Sequence, residues 1–469
     1  MSSRSQIVNL IHSVGSSCRC PAHSQTFSPI ITGPHRFSTQ PNTNEYAFEM
    51  ACSNIRYGPG VTQEVGQDLN NIKATNVGVY TDKTVAKLPA MKATLESLSR
   101  HKVNFKVFED VRVEPTNESF IQAADFAKSN GFDAFLAVGG GSVMDTCKAA
   151  NLYASDPSAE FLDYVSAPIG KGLPVRVPLM PLIAIPTTSG TGSETTGVAV
   201  FDYLPLNAKV GIANRALRPL LGLIDPLHTL TMPERVAAFS GFDVLCHALE
   251  SFTAINYHER QPRPVDPILR PAYQGSNPIS DVWARNALGI LNKYFARSVY
   301  NPDDVEARSE MHLAATTAGV GFGNAGVHLC HGLSYSIAGM VKEYKPVDYS
   351  ENFPIIPHGL SVVITAPAVF EFTGKMCPEK HLEGAELLGY DKIRSAKRAD
   401  AGKILSDTLK TVMDRLKIPN GLSALGYGTE DIPGLVKGAI PQDRVNKLAP
   451  RPQSEADLAG IYENSLTVY

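Results

Sequence analysis

The segment DAFLAVGGGSVMDTCKAAN (residues 133–151) decides the fold, because it joins a buried strand to a helix through three consecutive glycines. Residues 133–138 form an apolar run of strand length, which is typical of a strand covered on both faces. The glycines at 139–141 permit a tight turn, and residues 143–151 then carry a helical pattern. A strand that passes through a glycine turn into a helix is the unit from which parallel sheets are built.

Units of the same kind precede and follow this segment. Further strands are predicted at residues 76–81, 103–108, 181–185 and 222–224. Helices are predicted between them, including one that ends at about Arg100 and one that is capped by Asn117 and stopped by Gly131. Residues 45–226 are therefore predicted to form an α/β domain, with a parallel sheet and helices on both faces.

Helical periodicity dominates after about Pro226. The predicted helices lie at residues 233–252, 279–295, 305–317 and 401–416. One interruption, residues 256–278, carries five prolines and three arginines, so we predict a long inserted loop there. Residues 227–469 are otherwise predicted to form an all-helical domain.

The first 44 residues differ from the rest of the chain. They contain no Asp or Glu before Glu45, but they hold three arginines and nine serines. An acid-free start rich in Arg and Ser is the composition of a mitochondrial transit peptide, and a disordered tail is the alternative interpretation. We therefore expect residues 1–44 to direct the protein to the mitochondrial matrix.

The overall composition excludes several classes of function. Lys and Arg number 43 against 46 Asp and Glu, a formal net charge of −3, and no dense basic block suggests a nucleic-acid partner. No apolar run approaches the ~18 residues of a spanning helix, so no membrane partner is expected. Seven cysteines without a CxxC pair indicate a reducing compartment and no cysteine-built zinc site.

Two polar loops follow predicted strands, at the edge where ligands bind in open α/β sheets. The backbone N–H groups of GGGS (139–142) suit a pyrophosphate, although a tight turn needs glycine for structural reasons as well. The hydroxyls of PTTSGTGSE (186–194) suit a phosphate and a ribose, or simply solvent. Asp82 ends the first predicted strand, where it could bind a ribose hydroxyl and repel the 2′-phosphate of NADP, or merely cap a helix.

A third group of residues has the chemistry of a metal site. Asp243 and His247 are i and i+4 in SGFDVLCHALE, so they share one helix face. His331 and His358 are each followed by glycine, which leaves room beside the imidazole. One carboxylate and three imidazoles suit Fe²⁺ or Zn²⁺ and leave positions for a substrate oxygen. Spacing alone does not exclude the competing histidines, which are His228, His312 and His328.

Six motifs occur in a fixed order along the chain. They are GGGSVMDTCKA, IPTTSGTGSE, LIDP, GFDVLCHALESF, HLCHGLSYSIAG and IPHGLSVVI. In this order they resemble the signatures of the iron-containing (group III) alcohol dehydrogenases, from about Ile55 to the C-terminus. The resemblance implies a dehydroquinate-synthase-like fold, in which an α/β dinucleotide-binding domain and a helical metal-binding domain enclose the site. A homo-oligomer is expected.

The resemblance also implies roles for individual residues. It implies that Fe²⁺, or Zn²⁺ in its place, is held by Asp243, His247, His331 and His358. It implies tightly bound NAD, with Gly140, Gly141 and Ser142 at the pyrophosphate, Thr187 and Thr188 at the nicotinamide, Asp82 at the ribose and Lys209 near the cofactor. Many family members have a second histidine four residues after the third ligand. This chain has Tyr335 there, a candidate catalytic residue that could hydrogen-bond the substrate.

The segment RPAYQGSNPISD (270–281) and the preceding loop resemble family members that pass hydride between two acids. This implies transfer from 4-hydroxybutyrate or 3-hydroxybutyrate to 2-oxoglutarate through bound NAD, giving the semialdehyde or oxoacid and 2-hydroxyglutarate. Arg260, Arg263 and Arg270 are candidates for carboxylate binding, although loop arginines are more often solvated. An ordinary NAD- and metal-dependent alcohol dehydrogenase is the nearest alternative. A lyase of the dehydroquinate-synthase kind and a non-catalytic nucleotide-binding protein are more distant ones.

Overall fold

A computed structural model describes residues 43–469, and eight strands form its two sheets. The strands are β1 (Asn54–Tyr57), β2 (Val77–Tyr80), β3 (Phe105–Phe108), β4 (Ala134–Gly139), β5 (Leu182–Pro186), β6 (Val198–Tyr203), β7 (Ala208–Ala213) and β8 (Leu221–Ile224). Six of them form a parallel sheet in the order β1-β8-β5-β4-β2-β3, which confirms the predicted parallel sheet. The predicted targeting segment, residues 1–44, lies outside the described residues apart from its last two.

The sequence does not predict β1 or the β6–β7 hairpin. Among the described strands β1 pairs with β8 alone, at the edge of the sheet, and three of its four residues are exposed, so it lacks the apolar run of a buried strand. The hairpin is antiparallel, and its strands are joined by LPLN (204–207) rather than by an Asn-Gly turn. Its Phe201 and Ile212 pack against Phe120 and Leu152, so the hairpin covers helices on one face of the sheet.

Fifteen α-helices lie within the described residues. They are α1 (Val65–Asn71), α2 (Pro89–Arg100), α3 (Asn117–Asn130), α4 (Gly141–Ser155), α5 (Glu234–Thr253), α6 (Pro278–Tyr300), α7 (Val305–Ala325), α8 (Leu329–Gly339), α9 (His358–Val363), α10 (Ala366–Thr373), α11 (Pro378–Leu387), α12 (Ala401–Arg415), α13 (Ile432–Ala439), α14 (Asp443–Asn446) and α15 (Glu455–Glu463). The cap of α3 is Thr116 rather than the predicted Asn117, because the Thr116 hydroxyl accepts a hydrogen bond from the Ser119 backbone N–H. Gly131 ends α3 in a left-handed conformation, as predicted.

The second half of the chain is helical, as predicted. Within the described residues the last strand ends at Ile224, and one large apolar core extends through the helices from Met232 to Val468. None of the helices within residues 43–469 combines the length and the apolar character that crossing a bilayer requires.

The Pro-rich segment 256–278 is irregular, as predicted, with two short 3₁₀ turns. The chain at Glu45 runs along it. The Glu45 backbone N–H donates to the carbonyl of Arg260 at 2.9 Å, and the Glu45 carboxylate accepts from Nε of Arg270 at 2.9 Å. Arg263 lies over the ring of Tyr46. These arginines therefore fix the start of the described chain on the loop.

Candidate active site

A cleft of about 370 Å³ lies at the carboxyl edge of the parallel sheet. The turns after β2, β4 and β5 form one wall, which is where ligands bind in open α/β sheets. Helices α5, α8 and α9 form the other wall. The predicted cofactor, metal and catalytic residues all line this cleft: Asp82, Gly140, Gly141, Ser142, Thr187, Thr188, Lys209, Asp243, His247, His331, Tyr335 and His358. The structure thus brings together residues that lie up to 276 positions apart in the chain, from Asp82 to His358.

The glycine turn after β4 presents backbone N–H groups to the cleft. Helix α4 begins at Gly141, and its N-cap Gly140 offers no side chain to the first N–H groups of the helix. A Cβ at Gly141 would lie 2.5 Å from Cγ2 of Thr191, and one at Gly140 would lie 3.2 Å from Cγ2 of Thr188. The glycines therefore allow the two predicted loops to pack closely, and they also leave a phosphate-binding surface at the positive end of a helix.

Asp82 combines the two roles that the sequence left open. Its Oδ1 accepts hydrogen bonds from the backbone N–H groups of Thr84 and Val85, both at 2.8 Å, so it does cap a turn. Its Oδ2 has no hydrogen-bond partner among the described residues, and the side chain lines the cleft. Burial raises the pKa of Asp82, and burial together with the nearby Asp82 carboxyl raises the pKa of Glu351. Two carboxyl groups at this end of the cleft disfavour binding of the 2′-phosphate that distinguishes NADP from NAD.

Lys209 is a buried cation held between two acids. Its Nζ lies 2.6 Å from Oε2 of Glu114 and 2.9 Å from Oδ1 of Asp202. Burial alone would lower the pKa of Lys209, but Asp202 and Glu114 raise it, so the ammonium stays charged. Glu114 also accepts a hydrogen bond from the backbone N–H of His358, and its own N–H donates to Oγ of Ser142. Lys209 thereby stabilises a link between the glycine turn and the histidine helix α9.

Three of the four predicted metal ligands, the imidazoles, converge on a carboxylate oxygen of the fourth, Asp243. Oδ1 of Asp243 lies 3.6 Å from Nε2 of His247, 3.5 Å from Nε2 of His331 and 3.7 Å from Nε2 of His358. Ligand atoms ~2.1 Å from a tetrahedral metal are about 3.4 Å apart, so this spacing suits a metal. The ligand atoms of Asp243, His331 and His358 all lie within 4.8 Å of one another. His247 is the outlying member of the set.

The unpaired atoms of this cluster also suit a metal. Oδ1 of Asp243 and Nε2 of His331 are buried and have no hydrogen-bond partner within residues 43–469, which is costly unless a ligand occupies the space between them. On its other side, His331 hydrogen-bonds through Nδ1 to Oε2 of Glu250, which fixes the tautomer with a lone pair on Nε2. Burial raises the pKa of Asp243, but the three imidazoles hold it below its ordinary value, so the carboxylate is charged.

The competing histidines point elsewhere. His328 caps α8, with Nδ1 accepting from the Leu329 N–H at 2.8 Å and Nε2 bonded to Thr253 at 3.0 Å. His228 bonds Oγ1 of Thr62 at 2.6 Å. The remaining competitor, His312, bonds Oγ of Ser189 at 3.2 Å.

The far end of the cleft is apolar and carries two tyrosines. Tyr335 lies one turn after His331 on α8, and Tyr273 faces it from the loop before α6. Their apolar neighbours in the lining are Val198, Val200, Phe322 and Val327. The three arginines proposed from the sequence as carboxylate ligands do not line the cleft, because they hold the Pro-rich loop and the chain at Glu45 instead. The arginine next to the cleft tyrosines is Arg444 on α14.

Sequence reasoning did not identify Glu250, Glu114 or Arg444. Glu250 could have been found, because it follows Asp243 by seven residues and so lies on the same helix face. Glu114 follows β3 at the same edge of the sheet as the glycine turn, and this position was a usable signal. Arg444 offers no sequence signal, since only the packing of α14 against β7 and α8 brings it near Tyr335.

Two family models match the chain. "Iron-containing alcohol dehydrogenase" matches residues 52–226, and "Fe-containing alcohol dehydrogenase family, C-terminal" matches residues 272–466. The chain is 61% identical over 467 residues to a Bos taurus protein named "Hydroxyacid-oxoacid transhydrogenase, mitochondrial", covering 99% of both chains. It is 62% identical over 452 residues to a Homo sapiens protein of the same name, covering 96% of both.

Solved structures show the same fold. A 1,3-propanediol oxidoreductase structure matches with a TM-score of 0.77 and 23% identity, covering 90% of this chain and all of that one. An alcohol dehydrogenase of a halo-thermophilic archaeon from a Red Sea brine pool matches with a TM-score of 0.76 and 25% identity, covering 90% of this chain and 99% of that one. The predicted dehydroquinate-synthase-like arrangement of a parallel-sheet half and a helical half is confirmed.

Proposed function

The chain belongs to the iron-containing alcohol dehydrogenase family, and we propose that it passes hydride from a hydroxyacid to an oxoacid through a bound NAD. The donor is 4-hydroxybutyrate or 3-hydroxybutyrate and the acceptor is 2-oxoglutarate, so the products are the semialdehyde or oxoacid and 2-hydroxyglutarate. The observation that carries the proposal is the cluster around Asp243, which faces the glycine turn across one cleft. The transhydrogenase name of relatives above 60% identity supports the acid pair as substrates.

The residues suit a metal and a dinucleotide. Asp243, His247, His331 and His358 would hold Fe²⁺, for which Zn²⁺ is a possible substitute. Gly140, Gly141, Ser142, Thr187, Thr188, Asp82 and Lys209 would surround NAD, which we propose is tightly bound. When bound, the metal would supply a Lewis acid for the substrate oxygen and NAD would supply the hydride acceptor.

The chain itself supplies positioning and charge. Glu250 holds the His331 ring so that Nε2 faces the cluster. The N–H groups at the start of α4 would bind the pyrophosphate, while Glu114 ties this turn to α9 and so keeps the two walls at a fixed separation. Phe322 stacks on the His247 ring at 3.8 Å and excludes water from that side. Tyr335 stands beside the substrate position and can hydrogen-bond its oxygen atoms.

The experiment that separates transhydrogenation from ordinary alcohol dehydrogenation is kinetic. Purified protein stripped of free nucleotide should convert 4-hydroxybutyrate only when 2-oxoglutarate is supplied. Double-reciprocal plots at several fixed acceptor concentrations should be parallel, because one product leaves before the second substrate binds. Stoichiometric dependence on added NAD, with no effect of 2-oxoglutarate, would establish the ordinary dehydrogenase instead.

We also propose mitochondrial import and a homo-oligomer. The mitochondrial names of the close relatives support the location. Residues 1–44 fused to a fluorescent reporter should bring it into the matrix, while a reporter with Arg4, Arg19 and Arg36 changed to Glu should stay cytosolic. If both fusions stay in the cytosol, the segment is not a targeting signal.

A further inference from the structure

Arg444 is a half-buried cation, and it forms no ion pair with a carboxylate among residues 43–469. Its side chain enters the protein from α14, and a Cβ at Gly211 would lie 3.3 Å from its Nη2, so the glycine leaves room for the guanidinium. Among residues 43–469 no carboxylate oxygen lies within ion-pair distance of Arg444, and its buried Nη1 has no hydrogen-bond partner. A buried N–H group of a charged guanidinium is costly to leave without a partner, so a ligand acceptor close to it would be stabilising.

The partners of Arg444 are the two tyrosines of the cleft. Nη2 donates to the hydroxyl oxygen of Tyr335 at 2.7 Å, and the guanidinium carbon lies 5.2 Å from the centre of the Tyr273 ring. Burial raises the pKa of Tyr273 to about 12, so this phenol is protonated at neutral pH. Arg444 thus connects two phenols that both line the cleft.

The hydrogen bond to Arg444 determines what Tyr335 can offer to a ligand. A guanidinium only donates, so the Tyr335 oxygen must accept, and its own hydrogen is left for another acceptor. No other hydrogen bond to the Tyr335 hydroxyl occurs among residues 43–469, and the side chain is only 2% exposed. The free hydrogen therefore belongs to whatever occupies the cleft.

Resting on the function proposed above, we propose that Tyr335 and Tyr273, held and polarised by Arg444, bind the remote carboxylate of both substrates. In 4-hydroxybutyrate the carboxylate carbon is three bonds from the carbon that bears the hydroxyl. In 2-oxoglutarate the C5 carboxylate is three bonds from the keto carbon. One site can therefore serve donor and acceptor in turn.

The dimensions of the cleft agree with this assignment. Tyr335 is four residues after His331 on α8, so its backbone lies about 6 Å along the helix axis from that of His331. Val198, Val200, Phe322 and Val327 line the cleft and can cover the two methylenes between the reacting carbon and the carboxylate. Tyr335 and Tyr273 are substrate-binding residues in this proposal, and Arg444 is a positioning residue that acts through them.

The test compares acid and neutral substrates in the holoenzyme with NAD supplied. Tyr335→Phe and Arg444→Met should each raise KM for 4-hydroxybutyrate and 2-oxoglutarate on the order of 10–100-fold, as expected for losing a hydrogen bond to a charged group. The ratio of kcat/KM for 4-hydroxybutyrate to kcat/KM for 1-butanol should fall by about tenfold or more in both variants, since the neutral alcohol has no carboxylate to lose a hydrogen bond. Arg444→Lys, which retains the charge, should recover part of the loss.

Two matched variants and one binding measurement complete the design. Tyr427→Phe removes a buried phenol that bonds α8 at the Ile337 carbonyl, and Arg451→Met removes an arginine stacked on Phe372; neither should affect the acid substrates. Calorimetry with glutarate, a dicarboxylate that cannot react, should detect binding to the wild type and weaker binding to Tyr335→Phe. Equal losses for acid and neutral substrates, or unchanged glutarate binding, would overturn the assignment.

The outcome also separates this inference from the proposed function. If the wild type ignores 2-oxoglutarate but oxidises 4-hydroxybutyrate far better than 1-butanol with added NAD, transhydrogenation fails and the carboxylate site stands. If it does not prefer the hydroxyacid to 1-butanol, the carboxylate site fails whatever the acceptor is.

Discussion

Glu250, which lies seven residues after Asp243 on α5, accepts a hydrogen bond through its carboxylate from Nδ1 of His331. Glu250 also accepts from the backbone N–H groups of His328 at 2.9 Å and His331 at 3.2 Å. One buried acid therefore sets the tautomer of a proposed ligand and holds the start of α8. Because such partners raise ligand basicity, they affect metal affinity without touching the metal.

We expect Glu250→Gln to weaken metal binding by roughly 10–100-fold while the fold is retained. The amide keeps an acceptor for the ring but removes the charge. Competition against a fluorescent chelator measures the affinity. Glu383→Gln, which changes an acid paired with Arg285 outside the cleft, is the control and should bind metal like the wild type. Equal affinity of Glu250→Gln and the wild type would rule out this role.

His247→Ala should abolish both metal content and turnover, although His247 is the outlying member of the cluster. The change removes one of the four proposed protein ligands, so a carboxylate and two imidazoles would have to retain the metal alone. His328→Gln is the informative comparison. Its side chain caps α8, so its loss should lower stability by about 1 kcal/mol and leave metal content unchanged. Elemental analysis together with thermal unfolding distinguishes the two effects, and metal loss in His328→Gln would reassign the ligand set.

Asp82→Gly should narrow the preference for NAD over NADP, because it removes a carboxylate from the ribose end of the cleft. Asp82→Asn separates charge from capping, since the amide oxygen can still accept from Thr84 and Val85. Removing this one charge should lower the ratio of kcat/KM with NAD to kcat/KM with NADP by roughly tenfold. Asp110→Asn, at an exposed acid paired with Lys83, is the control. A ratio unchanged in both Asp82 variants would remove Asp82 from the site.

Local signals predicted the parts of the site that local structure determines. The glycine turn after β4 and the Asp243–His247 pair depend on neighbouring residues only, so their sequence patterns were sufficient. The convergence of His331 and His358 on Asp243 depends on how α8 and α9 pack against α5, which spacing does not encode. Family resemblance, rather than pattern, selected these histidines over His328.

What the sequence did not reveal has the same physical cause. Arg263 and Arg270 were candidates for carboxylate binding, although loop arginines are more often solvated, and in the structure they contact Tyr46 and Glu45. Arg444 lies in an ordinary amphipathic stretch and reaches the cleft through tertiary packing. The edge strand β1 was missed for a related reason, because only its pairing with β8 makes it a strand.

Replacement of Lys209 should lower the stability of the fold in a way that depends on pH. Lys209→Met would leave Glu114 and Asp202 without their shared ammonium, and breaking such a pair costs about 3–5 kcal/mol at neutral pH. In the wild type, burial raises the pKa of Glu114 but Lys209 and its other partners bring it below the usual value. Glu114 therefore stabilises the folded state above the pKa that it has in the unfolded chain, and this stabilisation is lost as the pH falls.

The variant should respond to pH in the opposite sense. Without Lys209, burial raises the pKa values of both Glu114 and Asp202. Their ionised carboxylates then destabilise the folded state as the pH rises above the pKa values of the unfolded chain. Thermal unfolding should therefore reveal a deficit against the wild type that is larger at about pH 7.5 than at about pH 5.5. Adding Glu114→Gln and Asp202→Asn to Lys209→Met should recover most of the stability. If the loss of stability in Lys209→Met is independent of pH and the triple variant does not recover it, Lys209 stabilises the fold through the packing of its aliphatic stem. If the triple variant recovers the stability but binds NAD more weakly, the ammonium of Lys209 contacts the cofactor.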